Sequence, residues 1–436
     1  MTSKLDFFRT TDFVNLSLRY NPIYRSRVRK LTERYTLAGN EERSRIIDTL
    51  QKKVLHWASG TSYGGTHSSK GFREWPVLAK AGVRECPEDF VTRTFPKLPG
   101  STGGTTGQPL KLYRSLENIA VERYFIERLL LEYKLDMKES KVAVLRADEI
   151  KDPSDGDPPY GIRTNRGRTL VLSNSHLSRA TIDWFVDELR CFAPSVLYVY
   201  PTMLENLLLL MTERSVTLSI PVVLSSSEMV NPDLFDHVET MLGGQLIDFY
   251  GQGERVAFAH ATSAGQYRFN PLYGTVELSP LEENTLDSEY SSYAIIATGH
   301  WNSAMPLVRY ETGDIALVSK ADLPRLGDIE RGDRTFAGLL GRQSEFILGP
   351  DGEVVSGLNH VPRGVSGLIR AQIVQTSPTQ IEIRAQASPA FDDDSVATLL
   401  QNAHRMIPAS VEIRVEVCDQ LERASSNKIP FVIRRP

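Results

Sequence analysis

The spacing of apolar residues divides this chain into stretches of different character. In the first hundred residues the period is helical: across residues 41–57, Ile46, Ile47, Leu50, Val54 and Trp57 fall on one stripe. Residues 76–78 and 95–99 are proline-bearing and read as extended connections. A second amphipathic helix is predicted over residues 116–133, with Ser115 as its N-cap.

From residue 141 the pattern becomes an alternation. Short apolar runs lacking a polar face (141–146, 195–200, 221–224 and 245–249) read as strands. Between them lie helical stretches: residues 180–192, a second opened by Pro201 and running through Leu207–Leu210, and a third from Asn231-Pro232 to Gly243-Gly244. Residues 152–167, rich in Pro, Gly and Asp, read as a surface loop. Strands alternating with helices predict a parallel sheet covered on both faces. Past residue 267 only strands and turns follow, at 277–278, 292–298 and 314–318. A tail then reads as ββαβ: strands 367–375 and 380–384, a helix 394–406 and a strand 411–417. The expected fold class is therefore α/β with an α+β tail. A large N-terminal domain (1–341) carries mostly parallel strands flanked by helices plus a β-rich subdomain, and a small C-terminal domain spans 342–436.

Composition narrows this picture. With 436 residues, 41% hydrophobic and 24% charged, the chain is globular and long enough for more than one core. A net charge of -4 and the absence of basic runs argue against a nucleic-acid partner. Three cysteines without CxxC spacing and eight scattered histidines support neither a disulfide framework nor a zinc site. The opening MTSKLDFFRTTDF lacks the apolar core of a secretory signal, and the apolar run 207–211 is far short of the ~20 residues of a membrane span. A cytoplasmic protein without membrane attachment is expected.

The richest chemistry lies in residues 101–110, STGGTTGQPL. Glycines leave backbone N–H groups open to a ligand, and serine and threonine hydroxyls add donors beside them. Such a donor-dense loop suits a polyphosphate, and a flexible surface loop is its plain alternative. It is not GxxxxGK[ST], because Gln108 follows Gly107. Polar clusters then interrupt the predicted strand ends, where open α/β sheets bind ligands: Ser225-Ser226-Ser227-Glu228, Tyr250-Gly251-Gln252-Gly253-Glu254-Arg255, Arg309-Tyr310-Glu311-Thr312-Gly313-Asp314, Gly341-Arg342 and Arg423–Lys428. Individually these read as a helix cap, a surface acid, a turn and a solvated terminus.

Their order resembles the adenylate-forming (acyl-CoA synthetase-like) superfamily, most closely the phenylacetate–CoA ligase branch and, within it, CapK-type proteins of polysaccharide and secondary-metabolite clusters. The stretch 247–258 (IDFYGQGERVAF), Met305–Tyr310 (MPLVRY) and residues 371–375 (AQIVQ) carry the likeness, which runs from Trp75 to the C-terminus. The resemblance implies an ATP-dependent ligase that converts a carboxylate into an acyl-adenylate, releases pyrophosphate, and passes the acyl group to coenzyme A, a carrier-protein thiol or an amine.

It further implies residue roles. Ser101, Thr102, Gly103, Gly104, Thr105, Thr106 and Gly107 would hold the β- and γ-phosphates, and Glu254 would bind Mg²⁺. Tyr250 and Gly251 would flank adenine, with Ser226, Ser227 and Glu228 approaching from the preceding strand end. Asp314 would accept from the ribose hydroxyls, Arg342 would assist at ribose or phosphate, and Lys428 would bridge the α-phosphate and the attacking carboxylate. The small domain would alternate between two orientations about a hinge at residues 343–345. Tyr198, Tyr200, Phe249 and Phe258 are candidates for a flat pocket suited to an aryl acid, or for core packing. Four departures stand out: Glu311 replaces a usual arginine, Glu345 a usual aspartate, Asn427 a usual glycine, and the loop lysine is displaced to Lys111. Glu311 and Asn427 support the alternative of a non-catalytic nucleotide-binding or scaffold protein that keeps the fold.

Overall fold

The structure is a computed structural model describing residues 18–101, 110–146, 150–151, 155–281, 289–342, 347–350, 354–355, 358, 361–362, 365–423 and 429–435. It opens with helices α1 (Pro22–Leu37), α2 (Asn40–Ala58), α3 (Ser62–Gly65) and α4 (Lys80–Glu85). Asn21 caps α1 by accepting from the amides of Ile23 and Tyr24, and Pro22 fits its first turn. On α2 the buried face is Ile46, Leu50, Val54 and Ala58, one residue per turn. Strands β1 (Lys97–Ser101) and β2 (Lys111–Ser115) then pair antiparallel, with Ser101 opposite Lys111. The donor-rich segment thus connects the two arms of a hairpin. Helix α5 (Leu116–Leu131) follows, capped by Ser115, whose hydroxyl accepts from Asn118 N.

The central sheet is built from β3 (Val142–Leu145), β4 (Gly161–Thr164), β5 (Thr169–Leu172), helix α6 (Ile182–Phe192), β6 (Val196–Val199), helix α7 (Pro201–Glu213), β7 (Val222–Ser226), helix α8 (Leu234–Leu242), β8 (Gln245–Gly251), β9 (Phe258–Ala261) and β10 (Arg268–Phe269). Its order is β10-β9-β8-β7-β6-β3-β5-β4. The five strands β8, β7, β6, β3 and β5 run parallel; the first four were predicted from their apolar runs, and β5 was not. Leu197 and Val199 join the core beneath α6–α8, whereas Val196 and Tyr198 face the α1, α2 and α5 side. Helices therefore cover both faces.

The edges differ from the sequence expectation. Residues 152–167 are not wholly loop: β4 forms within them and pairs antiparallel to β5. Four residues, GIRT, carry too little pattern of their own, and the strand exists because β5 offers it a ladder. The strands β9 and β10 add an antiparallel edge at the other end.

Beside this sheet, β11 (Gly274–Pro280), β12 (Tyr290–Gly299), β13 (Tyr310–Ser319), the short helix α9 (Leu326–Glu330) and β14 (Gly338–Arg342) make a four-stranded antiparallel sheet. The two-residue strands β15 (Ile347–Leu348) and β16 (Val354–Val355) pair next. The last unit comprises β17 (Leu368–Ser377), β18 (Gln380–Ala387), α10 (Asp393–Met406), β19 (Glu412–Val417) and β20 (Val432–Arg434), in sheet order β19-β18-β17-β20. The predicted ββαβ is thus extended by β20, a three-residue run that joins β17 in parallel. Its core includes Ile373, Ile383, Leu399 and Ala403. Gln372, fully buried on β17, donates from Nε2 to the carbonyls of Glu422 (3.0 Å) and Pro430 (2.9 Å) and accepts from Glu422 N at 3.1 Å. No helix among the described residues is long and apolar enough to cross a membrane.

Candidate functional site

In the central sheet β3 connects toward β5 on one side, while β6 connects toward β7 on the other. The strand order reverses between β3 and β6, the kind of place where open α/β sheets bind ligands. Of the polar clusters singled out in the sequence, Ser227-Glu228, Tyr250-Gly251-Gln252 and Asp314 line one cavity.

Tyr250 and Gly251 close β8, and Asp314 lies on β13 of the neighbouring sheet. The Tyr250 hydroxyl donates to Asp314 Oδ2 at 2.7 Å and accepts from Gln252 Nε2 at 2.8 Å; Gln252 Oε1 accepts from Ala257 N at 3.3 Å. Burial, reinforced by the facing carboxylate, pushes the Tyr250 hydroxyl well above its ordinary pKa and keeps it a donor. Gly313 adopts φ +78, a conformation open to glycine, and Thr312 Oγ1 accepts from Asp314 N at 3.1 Å, which fixes where the carboxylate points. Arg342 pairs with Asp314 across β13 and β14; its side chain lies outside the described residues.

Glu254 follows β8 and is nearly fully buried. Its Oε1 accepts from the Tyr310 hydroxyl at 2.7 Å and meets Lys80 Nζ of α4 at 2.9 Å. Lys80 was missed in the sequence, where it looks like any surface lysine. Arg114 on β2 donates to Gly253 O at 3.0 Å and so clamps the β1–β2 hairpin beside Glu254. Among the described residues no group of three metal-ligating side chains occurs. Magnesium needs none, because it commonly takes one or two carboxylates with phosphate oxygens and water. Glu254 Oε2 has no hydrogen-bond partner among the described residues, so this carboxylate fits such a role.

Ser226 ends β7, Ser227 follows with φ 75, and Glu228 comes next. A left-handed serine is strained, and here the turn carries Ser227 and Glu228 onto the cavity wall. Glu228 Oε2 accepts from Thr202 N at 3.1 Å. Arg146, directly after β3, donates to Ser226 Oγ at 3.4 Å and to Ser227 Oγ at 3.2 Å. Its guanidinium sits 4.1 Å from the Tyr198 ring centre and 4.2 Å from that of Tyr200. The proposed aromatic pocket is corrected accordingly. Phe258 is a core residue, 1% exposed, stacked on Phe249 at 5.5 Å and packed against Tyr273. Tyr198 and Tyr200 hold an arginine, and of the four rings only Phe249 borders the cavity.

That cavity, of about 340 Å³, is closed on its far side by the C-terminal unit through Ile369, Arg370, Ile429, Pro430 and Phe431. Arg370 on β17 approaches Glu228 at 4.0 Å and donates to Ile429 O at 2.9 Å, while its Nη1 is buried without a hydrogen-bond partner. Two further acids line the space. Asp248 accepts from Ser225 (2.5 Å) and Tyr267 (2.6 Å), and burial raises its pKa to about 6. Burial raises Glu205 to about 8, against the opposing pull of Arg370. None of Lys80, Arg146, Glu205 or Arg370 belongs to a motif recognised in the sequence, and Asp248, though within the stretch 247–258, was given no role there.

Ser101 ends β1 at the loop end of the hairpin, opposite Lys111. Thr102, Gly103, Gly104, Thr105, Thr106 and Gly107, the hinge 343–345 and Lys428 lie outside the described residues.

Residues 347–435 match the CapK C-terminal domain family. Over 336 residues the chain is 23% identical to Protein CapK of Staphylococcus aureus, covering 75% of this chain and 72% of that protein. Among solved structures, 2-hydroxyisobutyryl-CoA ligase in the postadenylation state is similar in complex with 2-HIB-AMP (TM-score 0.61) and with R3-HIB-AMP (TM-score 0.60). Each is 14% identical and aligns over 91% of this chain and 90% of its own. The chain thus has the fold of an acyl-CoA ligase, with a large α/β N-terminal part and a smaller C-terminal one.

Proposed function

We propose that this protein is an ATP-dependent, AMP-forming ligase that activates a small carboxylic acid and transfers its acyl group to a thiol or an amine. The observation that carries the reading is the hydrogen bond between Tyr250 and Asp314 on the cavity wall, with Glu254 four residues further along the chain, next to the Gly253 carbonyl that Arg114 ties to the hairpin bearing the Gly/Thr segment. Asp314 would accept from ribose hydroxyls, and Tyr250 would border the base. The segment 101–107 supplies donors for the β- and γ-phosphates. Glu254 would hold Mg²⁺, which when bound screens the phosphate charge. A substrate carboxylate oxygen attacks the α-phosphorus, the bond to the bridging β-phosphate oxygen breaks, and pyrophosphate leaves. The acceptor nucleophile then attacks the acyl carbon and AMP departs. Lys428 offsets the repulsion between carboxylate and α-phosphate in the first step.

The shared fold with a CoA ligase supports a thiol acceptor, and the CapK likeness supports a polysaccharide or secondary-metabolite setting. A division near Gly341, with the C-terminal domain turning between half-reactions, completes the scheme.

Carboxylate-dependent ATP–pyrophosphate exchange tests it. Lys428→Ala is expected to abolish exchange while leaving acyl transfer from supplied acyl-AMP largely intact. Absence of exchange in the wild type across aryl, amino and aliphatic acids would sink the ligase and favour a nucleotide-binding scaffold. Equal loss of both half-reactions in the variant would contradict the role given to Lys428.

A further inference from the structure

Several largely buried arginines of this chain have a carboxylate partner; Arg146, like Arg19 and Arg114, has none among the described residues. Arg25 and Arg123 pair with Glu127, and Arg309 pairs with Glu277. Arg146 pairs with no carboxylate among the described residues; its neighbours are two tyrosine rings and two serine hydroxyls. Ring faces and hydroxyls hold a cation in place without neutralising it. A partly buried charge with neutral neighbours gains from an incoming anion, since removal from water is already half accomplished.

Position adds a second argument. Arg146 follows β3 and Tyr200 follows β6, so the pair stands at the reversal of strand order. Ser227 accepts from Arg146 and also lines the cavity with Asp314 and Tyr250. Arg146 does not itself line the cavity; it reaches the wall through its hydrogen bond to Ser227, so a ligand extending from Asp314 approaches the guanidinium on the Ser227 side. The edge of a guanidinium offers parallel N–H groups that match the two oxygens of a carboxylate or phosphate.

We propose that Arg146, with Ser226 and Ser227, binds a second oxyanion of the acid substrate, so that the acid activated is dianionic: a dicarboxylate or a carboxylate bearing a phosphate. This rests on the ligase reading and names its substrate class. Tyr198 and Tyr200 serve as the clamp that orients the guanidinium.

Matched acids test the assignment: butyrate against succinate, benzoate against isophthalate, and glycolate against phosphoglycolate. Each is assayed by pyrophosphate exchange without acceptor and by calorimetric binding without ATP. The wild type is expected to favour at least one dianion over its partner. Arg146→Gln should raise KM for that dianion on the order of 10- to 100-fold with little change in kcat, and leave the monoacid unaffected. Arg146→Lys, which keeps charge but loses the fork, should fall between.

Exchange with no charge preference in either protein overturns the subsite and leaves the ligase standing. Dianion binding lost in Arg146→Gln without any exchange does the reverse. Neither exchange nor binding with any acid overturns both. Asp148 and Glu149 follow Arg146 in the sequence. If one were its resident counter-ion, Arg146→Gln would destabilise the ligand-free protein and leave acid preference unchanged, which also overturns the subsite.

Discussion

Glu254 and Arg146 follow strands of the same sheet and solve opposite problems in opposite ways. Glu254 is an anion 3% exposed at its side chain, and the fold supplies it with a cation, Lys80, and a hydroxyl, Tyr310. Arg146 is a cation given rings and hydroxyls but no described anion. The first charge is balanced from within the protein. The second, on our proposal, is balanced by what binds. An acid on the cavity wall, Glu205, takes another route, since burial lets it keep its proton to about pH 8.

The largest test of the contrast is Lys80→Met, which strands a buried carboxylate. Urea denaturation should show a loss on the order of 2 kcal/mol, below that of a fully buried pair because Lys80 is 24% exposed. Adding Glu254→Gln should restore most of it; if the double variant is no better than the single one, Lys80 is not acting as a counter-ion.

Next comes Glu205. Its folded pKa, about 8, lies above the ordinary 4.5, so the folded state holds the proton more tightly than the unfolded one. Its contribution to stability is present below pH 4.5 and is lost as pH rises toward 8, by at most about 1.4 kcal/mol per pH unit. Glu205→Gln should flatten that fall in thermal midpoint against pH, and an unchanged slope would show that Glu205 is ionised throughout.

The smallest effect is expected from Arg146→Leu. Removing it leaves no described carboxylate unpaired, so the ligand-free protein should lose about 1 kcal/mol or less in the same urea titration. A loss as large as that of Lys80→Met would erase the distinction between the two charges.

The sequence made some of this architecture readable and hid the rest for physical reasons. Strands β3, β6, β7 and β8 announce themselves because both faces are buried and most of their positions are apolar. The edge strands β4, β10 and β20 have two to four residues each and are created by a partner's unpaired groups rather than by their own period. Tyr250, Glu254 and Asp314 stood out because each sits in a short spaced motif. Lys80 and Arg370 did not, since only tertiary folding brings Lys80 to Glu254 and Arg370 to the cavity. Arg146 could have been found: it closes an apolar run already read as a strand, and the carboxyl end of such a strand is where a polar residue merits a second reading.

The two carbonyls and one amide held by Gln372 have a consequence for motion. One rigid side chain grips both banks of the chain at Glu422 and Pro430. Pro430 leads directly into β20, so the same side chain that fixes Glu422 also fixes the entry of the last strand. In mechanical terms Gln372 is a rivet, and β20 cannot peel from β17 without first breaking its bond to the Pro430 carbonyl.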